Sequence, residues 1–179
     1  MNLIWRFFWV MIFSRFAKPI TGLAESFIRF RVLPTDVDFL LHMNNGRYFS
    51  LLDLARIDFC IRNRSLPILR KNKIYAVAAS EMIRFKKSLD LFQRFDIMTR
   101  LIGWDSKFFY FTHHFKKNGE VYALCLVKGC FLHKEKGTLN PNDVIKLIGY
   151  TESSPILPHW VKHWQEADRE FNHETMRTP

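Results

Sequence analysis

The residues best suited to chemistry lie in one short stretch near the N-terminal third of the chain. Two carboxylates, Asp36 and Asp38, precede His42 and the adjacent Asn44 and Asn45. Carboxylates and imidazoles can act as general bases, and backbone N–H groups at a helix start stabilise a developing negative charge. The stretch follows a strand-like run and precedes a long apolar segment of helical character. Its polar groups are therefore well placed for base and oxyanion chemistry.

The same residues also have a purely structural interpretation. Asp, Asn and Gly are common in turns and at helix N-caps. An Asp-x-Asp pair followed by Asn44, Asn45 and Gly46 could be only a turn and a helix cap. In that case His42 would be a structural histidine. Residue chemistry alone leaves both interpretations open.

The spacing of these residues resembles a known motif. Hotdog-fold thioesterases of the 4-hydroxybenzoyl-CoA thioesterase type carry D-x-x-x-H-x-N-N-x-x-Y, which is matched here by Asp38, His42, Asn44, Asn45 and Tyr48. The wider stretch is similar to the small subfamily around thioesterase-superfamily member six. The resemblance covers about residues 25–150. It implies an enzyme that hydrolyses fatty acyl-CoA thioesters to free acid and CoA.

The resemblance also implies a role for each residue. Asp38 would act as general base or nucleophile. The backbone N–H of Asn45, with that of Gly46 as a second donor, would form the oxyanion hole. His42 would orient Asp38 or the attacking water. The supporting residues would be Asp36, which braces the loop or, alternatively, is the catalytic carboxylate, and Asn44, which braces the loop or caps the helix, together with Tyr48.

One position departs from a related motif. Plant acyl-carrier-protein thioesterases carry D-x-N-x-H-V-N-N, whereas this chain has Leu40 at the position of the first Asn. The Asp/Asn/His network of the plant enzymes is therefore not expected in full. An acyl-carrier-protein substrate and a non-catalytic acyl-binding or membrane-associated protein remain as alternatives.

Two further candidates come from the same resemblance. Other hotdog enzymes carry an acid on the long helix, where Asp53 is the nearest candidate; alternatively, it is solvated or faces a dimer partner. Related thioesterases meet the coenzyme A phosphates on strands where this chain has Arg84, Lys86 and Lys87; alternatively, these form a solvated strand face with dimer salt bridges. No cofactor and no metal are expected, because CoA is part of the substrate.

The elements around the loop follow from residue periodicity. Residues 26–33 alternate as a strand, and residues 46–62 carry an apolar stripe at helical spacing with further apolar residues beside it. Such a helix must be buried on most sides. The α+β order agrees with a single hotdog domain, in which a curled antiparallel sheet wraps one long helix. Four later strands are predicted over residues 74–87, 91–104, 108–116 and 121–133, with an Asn118-Gly119 hairpin turn between the last two. Alternation puts residues 95, 97, 99 and 101 on one face of the second of these strands and residues 109, 111, 113 and 115 on one face of the third.

Three segments are predicted. Residues 1–22 form an apolar N-terminal helix, residues 23–150 the hotdog domain and residues 151–179 a C-terminal helical extension. The N-terminal helix would lie in a membrane interface, with a signal peptide and a helix packed on the core or on a dimer partner as alternatives. The extension would cover the sheet, bind a partner or form a lid.

Composition restricts partners and location. The net charge is +10, which favours acidic partners. Nucleic acid ranks last, because no helix-turn-helix, zinc-finger or RNP pattern occurs. The three cysteines lack C-x-x-C spacing, which predicts free thiols in a reducing compartment. We therefore expect a cytoplasmic protein with a membrane surface as a second partner through residues 1–20. The resemblance implies a homodimer or tetramer.

Overall fold

The chain folds into five helices and six strands among the residues that the structure describes. The structure is a computed structural model that describes residues 2–21 and 23–175. Residues 1, 22 and 176–179 belong to the two predicted terminal segments and lie outside the described residues. The elements in order are α1 (Asn2–Phe13), β1 (Ser26–Arg31), α2 (Asn45–Arg62), α3 (Ser65–Lys71), β2 (Ile74–Phe85), β3 (Arg94–Trp104), β4 (Phe109–Lys117), β5 (Glu120–His133), β6 (Gly137–Thr138), α4 (Pro141–Leu147) and α5 (His159–Thr175).

The strands form one antiparallel sheet that curls around α2. The order along the sheet is β1-β3-β4-β5-β2, and the short β6 pairs with β5. The two edge strands are therefore β1 and β2. This arrangement confirms the predicted α+β class, with one long helix wrapped by a curled sheet.

Burial of α2 follows from its apolar stripe. The predicted stripe residues are all at most 3% exposed: Tyr48, Leu51, Leu52, Ala55 and Phe59. They face the inner side of the sheet, where alternate residues of β3 and β4 are buried. The predicted inward faces, Phe95 to Leu101 on β3 and Phe109 to Phe115 on β4, are confirmed. Burial of apolar area on this scale is the main stabilising contribution to the fold.

Turn chemistry explains the β4–β5 hairpin. Asn118 and Gly119 both have positive φ, at 50° and 81°. A two-residue turn of this kind matches the right-handed twist of the strands it joins. The predicted Asn-Gly hairpin is confirmed.

One helix lies where the sequence pattern indicated only a break. The segment Ser65–Lys71 forms α3, although it contains Pro67. Proline is tolerated there because it falls in the first turn, where backbone N–H groups have no helical acceptor. The first strand residue of β3 is Arg94 rather than 91, so residues 89–93 are left as a turn beside the motif loop.

The terminal helices pack on the sheet and on α2. Val10 of α1 is fully buried, and Trp9 lies beside Phe30 of β1. Helix α5 covers part of the outer face of the sheet, where Val161 packs with Tyr110 and Leu126. The extension therefore covers the sheet, which was one of its three predicted roles. Within the described residues no helix is long and apolar enough to cross a membrane.

Candidate functional site

The motif loop is a small two-stranded turn that leads into α2. Val37 and Met43 form an isolated antiparallel bridge. The backbone N–H of Asp38 donates to the carbonyl of His42 over 3.1 Å, and the N–H of Asn44 donates to the carbonyl of Asp36 over 2.8 Å. These bonds hold the two halves of the loop together. The loop tip between them carries the positive φ of Leu41, 59°.

Asp36 is the buried carboxylate of the loop. It is 1% exposed and accepts hydrogen bonds from both terminal nitrogens of Arg6, at 3.1 and 2.5 Å. It also accepts from the N–H of Leu33 over 2.9 Å. With its oxygens engaged by three donors and closed off from solvent, Asp36 is built to brace the loop. The predicted bracing role matches this geometry.

Asp38 is the accessible carboxylate. It is half-buried, and one oxygen accepts the N–H of Leu40 over 3.0 Å, which closes an Asx turn. No side chain among the described residues forms an ion pair with it. Among the described residues its second oxygen accepts no hydrogen bond. Leu40, at the position of the expected Asn, points its side chain to solvent at 60% exposure.

The start of α2 supplies the backbone donor. Asn44 is the N-cap, and its side-chain oxygen accepts the N–H of Gly46 over 2.9 Å. The N–H of Gly46 is therefore occupied, so the second oxyanion donor suggested by the motif is already used by the cap. The N–H of Asn45 donates to no acceptor within residues 2–21 and 23–175. It points out of the helix start, as N-terminal N–H groups do.

The partner of His42 is not the one implied by the motif. Its Nε2 lies 3.5 Å from Oδ1 of Asp90, a residue of the 89–93 turn, rather than on Asp38. Backbone atoms of His42 and Asp90 also form an isolated bridge. The turn thus holds His42 beside the loop at 46% side-chain exposure. In this arrangement His42 does not orient Asp38 directly.

Tyr48 and Asp53 have contrasting environments on α2. Tyr48 is 2% exposed and packs between the rings of Phe85 and Phe115. Burial raises its pKa to about 12, so its hydroxyl is a neutral structural group. The Asp53 side chain is 64% exposed and pairs with Arg56 at 2.5 Å. Arg56 also contacts Glu81 at 3.3 Å.

Two of the spaces that adjoin α2 bear on the candidate site. A polar groove of about 350 Å³ lies at its first turn, lined by Asn44, Gly46 and Arg47 among others. A second cavity of about 340 Å³ lies further along the helix, between α2, α3 and the sheet. Its polar lining residues include Asp53 and Arg56, and most of the rest are apolar, among them Ile57, Leu69, Phe109, Phe111, Val127 and Phe131.

The predicted basic run is only partly free. Lys87 donates to Glu120 over 2.5 Å and lies over the ring of Tyr122. The hydrogen bond to Glu120 raises the pKa of Lys87, and the negative charge of Glu120 offsets much of the positive charge of Lys87. Arg84 and Lys86 are exposed and have no carboxylate partner among the described residues. Two of the three candidates are therefore open to an anionic ligand.

The motif did not identify Arg6 and Asp90, the two residues that hold the loop in place. Arg6 and Asp90 lie 30 and 48 positions from their partners Asp36 and His42 (36 − 6 and 90 − 42). Only the isolated charge of Arg6 in an apolar run was a signal in the sequence. For Asp90 no comparable signal existed, because a single Asp in a turn is common.

Comparison with known proteins gives a consistent family. A family model described as the thioesterase-like superfamily matches residues 32–165. Protein THEM6 of Danio rerio is 32% identical over 170 residues, covering 89% of this chain and 82% of the relative. A probable thioesterase of Saccharomyces cerevisiae is 30% identical over 119 residues, covering 65% of this chain and 51% of the relative.

Solved structures share the fold. A YbaW probable thioesterase from Escherichia coli gives a TM-score of 0.61 at 19% identity, covering 68% of this chain and 97% of that one. A Staphylococcus aureus protein solved in complex with CoA gives 0.62 at 14% identity, covering 79% and 92%. At these identities the likeness shows a common fold.

Proposed function

Because this chain belongs to the thioesterase-like superfamily, we propose that it hydrolyses fatty acyl-CoA thioesters to the free acid and CoA. The observation that carries the proposal is the pairing of an accessible carboxylate, Asp38, with a helix-start N–H that lacks an acceptor among the described residues, that of Asn45. These are a proton acceptor and an oxyanion donor within one motif. The buried Asp36 is excluded from that role by its bonds to Arg6.

Hydrolysis breaks the C–S bond of the thioester and includes two proton transfers, one from water and one to the departing thiolate. In one route water adds to the thioester carbonyl, and Asp38 accepts a proton from that water. In the alternative route Asp38 attacks the carbonyl and forms a mixed anhydride once the thiolate leaves, and water then hydrolyses the anhydride to release the acid and restore Asp38. The carbonyl oxygen, now carrying negative charge, accepts a hydrogen bond from Asn45 N–H. The C–S bond then breaks, and CoA leaves as the thiolate, which takes up a proton. A donor of this kind contributes about 10²–10³ in rate, and a base about 10²–10⁴.

The cavity beside α2 supports a fatty acyl group. Arg56 is eleven positions beyond Asn45 (56 − 45 = 11), so it lies roughly 16 Å further along the axis and on nearly the same side of the helix. An acyl chain held at Asn45 could therefore extend along α2 into the cavity of about 340 Å³. Its apolar walls favour an aliphatic chain over a polar acyl group.

The basic residues support a CoA carrier. Arg84 and Lys86 are exposed on β2 and just beyond it, and phosphate oxygens are good acceptors for both side chains. We assign them to the CoA phosphates, with a smaller contribution from Lys87 because of Glu120. Arg84→Gln should raise KM for acyl-CoA and leave kcat unchanged. The KM for the same acyl group on pantetheine, which lacks the nucleotide, should not change.

A free edge strand supports a homodimer. β2 pairs with β5 on one side, and no described strand pairs with its other side. It exposes Tyr75, Val77, Met82 and Phe85. Unpaired strand edges bearing apolar side chains are ready to pair with another chain. A second copy that pairs through β2 would both satisfy the unpaired strand edge and bury its apolar side chains.

The test is thioester hydrolysis with acyl-CoAs of graded length, followed by release of free thiol. Asp38→Asn should lower kcat by about 10²–10⁴. Asp36→Asn should lower the amount of folded protein, but the kcat of the folded fraction should not change. In the cavity, Ala78→Phe should shift the preference to shorter chains, and Ala79→Phe, next to it but outside the cavity lining, should not.

The same assay decides between the alternatives. A folded wild-type protein that hydrolyses no acyl-CoA but acts on an acylated carrier protein would make it an acyl-carrier-protein thioesterase. Absence of hydrolysis with both carriers, together with saturable acyl-CoA binding, would make it an acyl-binding protein. The exposed Leu40, where the plant motif has Asn, is the observation that favours this second function.

A further inference from the structure

Helix α1 presents an apolar face to solvent. Trp5 is 73% exposed, Phe8 54% and Ile12 53%. The one charged residue of the helix, Arg6, points the other way and binds Asp36. The exposed face therefore carries aromatic and aliphatic side chains with no charged group of its own. Contiguous apolar surface of this kind marks an interaction site in a soluble domain.

Next to this face lies a pair of arginines with no counter-charge. Arg31 of β1 and Arg94 of β3 are direct cross-strand partners, and both are exposed. Like charges in this position repel each other. The neighbouring cross-strand pair is complementary, with Arg29 and Asp96 joined at 2.7 Å. Neither Arg31 nor Arg94 has a carboxylate partner among the described residues, so an anion between them would replace repulsion by attraction.

The two features meet in one groove. A space of about 290 Å³ is lined by Trp9 of α1 and by Arg31 and Arg94, with Arg29 and Leu33 beside them. An aromatic ring and two arginines without a carboxylate partner among the described residues thus share one surface. Arginine suits phosphate because its planar group donates two parallel hydrogen bonds.

The outer face of α1 is separate from the sheet edge that we propose for the dimer. α1 contacts β1, where the Arg6 side chain donates to the carbonyl of Arg31 over 2.8 Å. β1 and β2 are opposite edges of the sheet. A second copy pairing through β2 would therefore leave the α1 face uncovered.

We propose that the outer face of α1 and the Arg31–Arg94 pair bind the surface of a membrane that contains anionic phospholipid. Trp5 and Phe8 enter the headgroup region, where amphipathic aromatic rings are favoured. A lipid phosphate bridges Arg31 and Arg94. A bilayer is the occupant because apolar depth and surface phosphate occur there side by side.

This attachment would hold the motif loop near the lipid. Arg6 joins α1 to Asp36, two positions before Asp38. The helix that touches the membrane and the loop that carries the carboxylate are therefore connected by one buried ion pair. Fatty acyl chains partition into the hydrocarbon layer directly beneath the lipid headgroups.

The experiment is vesicle co-sedimentation of the full chain, which does not depend on enzymatic activity. We expect binding to vesicles of phosphatidylcholine and phosphatidylserine, and weaker binding to phosphatidylcholine alone. Arg31→Gln with Arg94→Gln should lower the partition coefficient roughly 30-fold on the anionic vesicles, about five-fold per lost charge. Trp5→Ser with Phe8→Ser should lower binding to both kinds of vesicle. High salt should weaken the binding of the wild type.

Matched controls lie elsewhere on the surface. Lys134→Gln with Lys136→Gln removes the same charge from the β5–β6 turn, and Trp160→Ser removes an exposed Trp from α5; neither should change binding. An equal loss of vesicle binding with the lysine control would show that only net charge matters, and this would overturn the arginine site. A wild type that ignores both vesicles, or a Trp5/Phe8 variant that instead breaks a tetramer into dimers, would show a protein contact and overturn the proposal.

Discussion

The carboxylates of the motif differ in burial, and this difference separates their roles. Asp36 is closed off and bonded to Arg6, whereas Asp38 is accessible and bonded only to a backbone N–H. A buried carboxylate held by Arg6 and by the N–H of Leu33 stabilises the loop and is closed off from a substrate. Two acids two positions apart are therefore suited to different tasks.

Asp36→Ala should strongly destabilise the protein, because it leaves Arg6 as a buried charge without its partner. We expect a loss of about 3–5 kcal/mol in the free energy of unfolding, measured by urea denaturation. The exposed pair Arg29–Asp96 is the matched control, and Asp96→Ala should cost at most about 1 kcal/mol. Arg6→Met combined with Asp36→Leu should recover much of the loss. Equal effects of Asp36→Ala and Asp96→Ala would contradict the bracing role.

The buried His113 makes the stability of the fold depend on pH. It is fully buried on β4, and its Nδ1 lies 3.0 Å from Thr99 Oγ1. Burial, and secondly the charge of Arg56, lower its pKa well below the usual value. The unfolded chain therefore binds a proton at a higher pH than the folded one. Stability from this group is present above about pH 6.5, its unfolded pKa, and is lost as the pH falls below it.

We expect His113→Gln to flatten this part of the stability curve. Between about pH 7 and pH 5.5 the wild type should lose up to about 1.4 kcal/mol per pH unit more than the variant. The exposed His159→Gln should follow the wild type. Urea midpoints at several pH values give the measurement. Parallel curves for the wild type and His113→Gln would show that folding does not lower the pKa of His113.

At the scale of elements, α5 is fastened to the sheet by polar as well as apolar contacts. Lys128 of β5 is 6% exposed and donates to Asp168 over 2.7 Å, and Asp168 also accepts from Ser80 of β2 over 2.7 Å. Burial acts to raise the pKa of Asp168, but the bonds from Lys128 and Ser80 outweigh it and lower that pKa. The contact therefore stabilises the fold above the unfolded pKa of Asp, and is lost as the pH falls through the lower folded value.

Asp168→Ala should loosen α5, because Lys128 would keep a buried charge with only the Phe108 ring beside it. We expect a loss of about 3 kcal/mol in the free energy of unfolding, and faster amide exchange in α5. Glu166→Ala, on the same helix but exposed, is the control. Unchanged exchange in α5 would indicate that its apolar contacts with Tyr110 and Leu126 suffice.

For the whole molecule, the proposed homodimer depends on the edge of β2 that no described strand covers. Val77 is exposed on this strand, and charge on an edge strand prevents pairing with another strand. We expect the wild type to behave as a dimer in light scattering after gel filtration, and Val77→Lys as a monomer. Ile156→Lys, a charge introduced at a 91% exposed apolar residue away from β2, should leave the dimer intact. A monomeric wild type would exclude the β2 interface.

The sequence by itself determined the parts of this protein that depend on neighbouring residues. The stripe of α2, the alternation of the strands, the Asn118–Gly119 turn and the motif from Asp38 to Tyr48 all act over a few positions. Their physical causes are helical and strand periodicity, positive φ in a turn and capping of a helix start. Together these were enough to predict the fold and the family.

Only the tertiary structure decided which remote groups meet. The partners Arg6 for Asp36 and Asp90 for His42 come from distant segments, and such pairings leave no periodic signal. The same holds for the packing face of α5. Trp160 and Phe171 have the spacing of an apolar face, yet the helix buries Val161 and Gln165 instead, because the Tyr110–Asp105 site binds the Gln165 amide. Packing energy is shared between remote side chains, so only the folded chain determines which of them become buried.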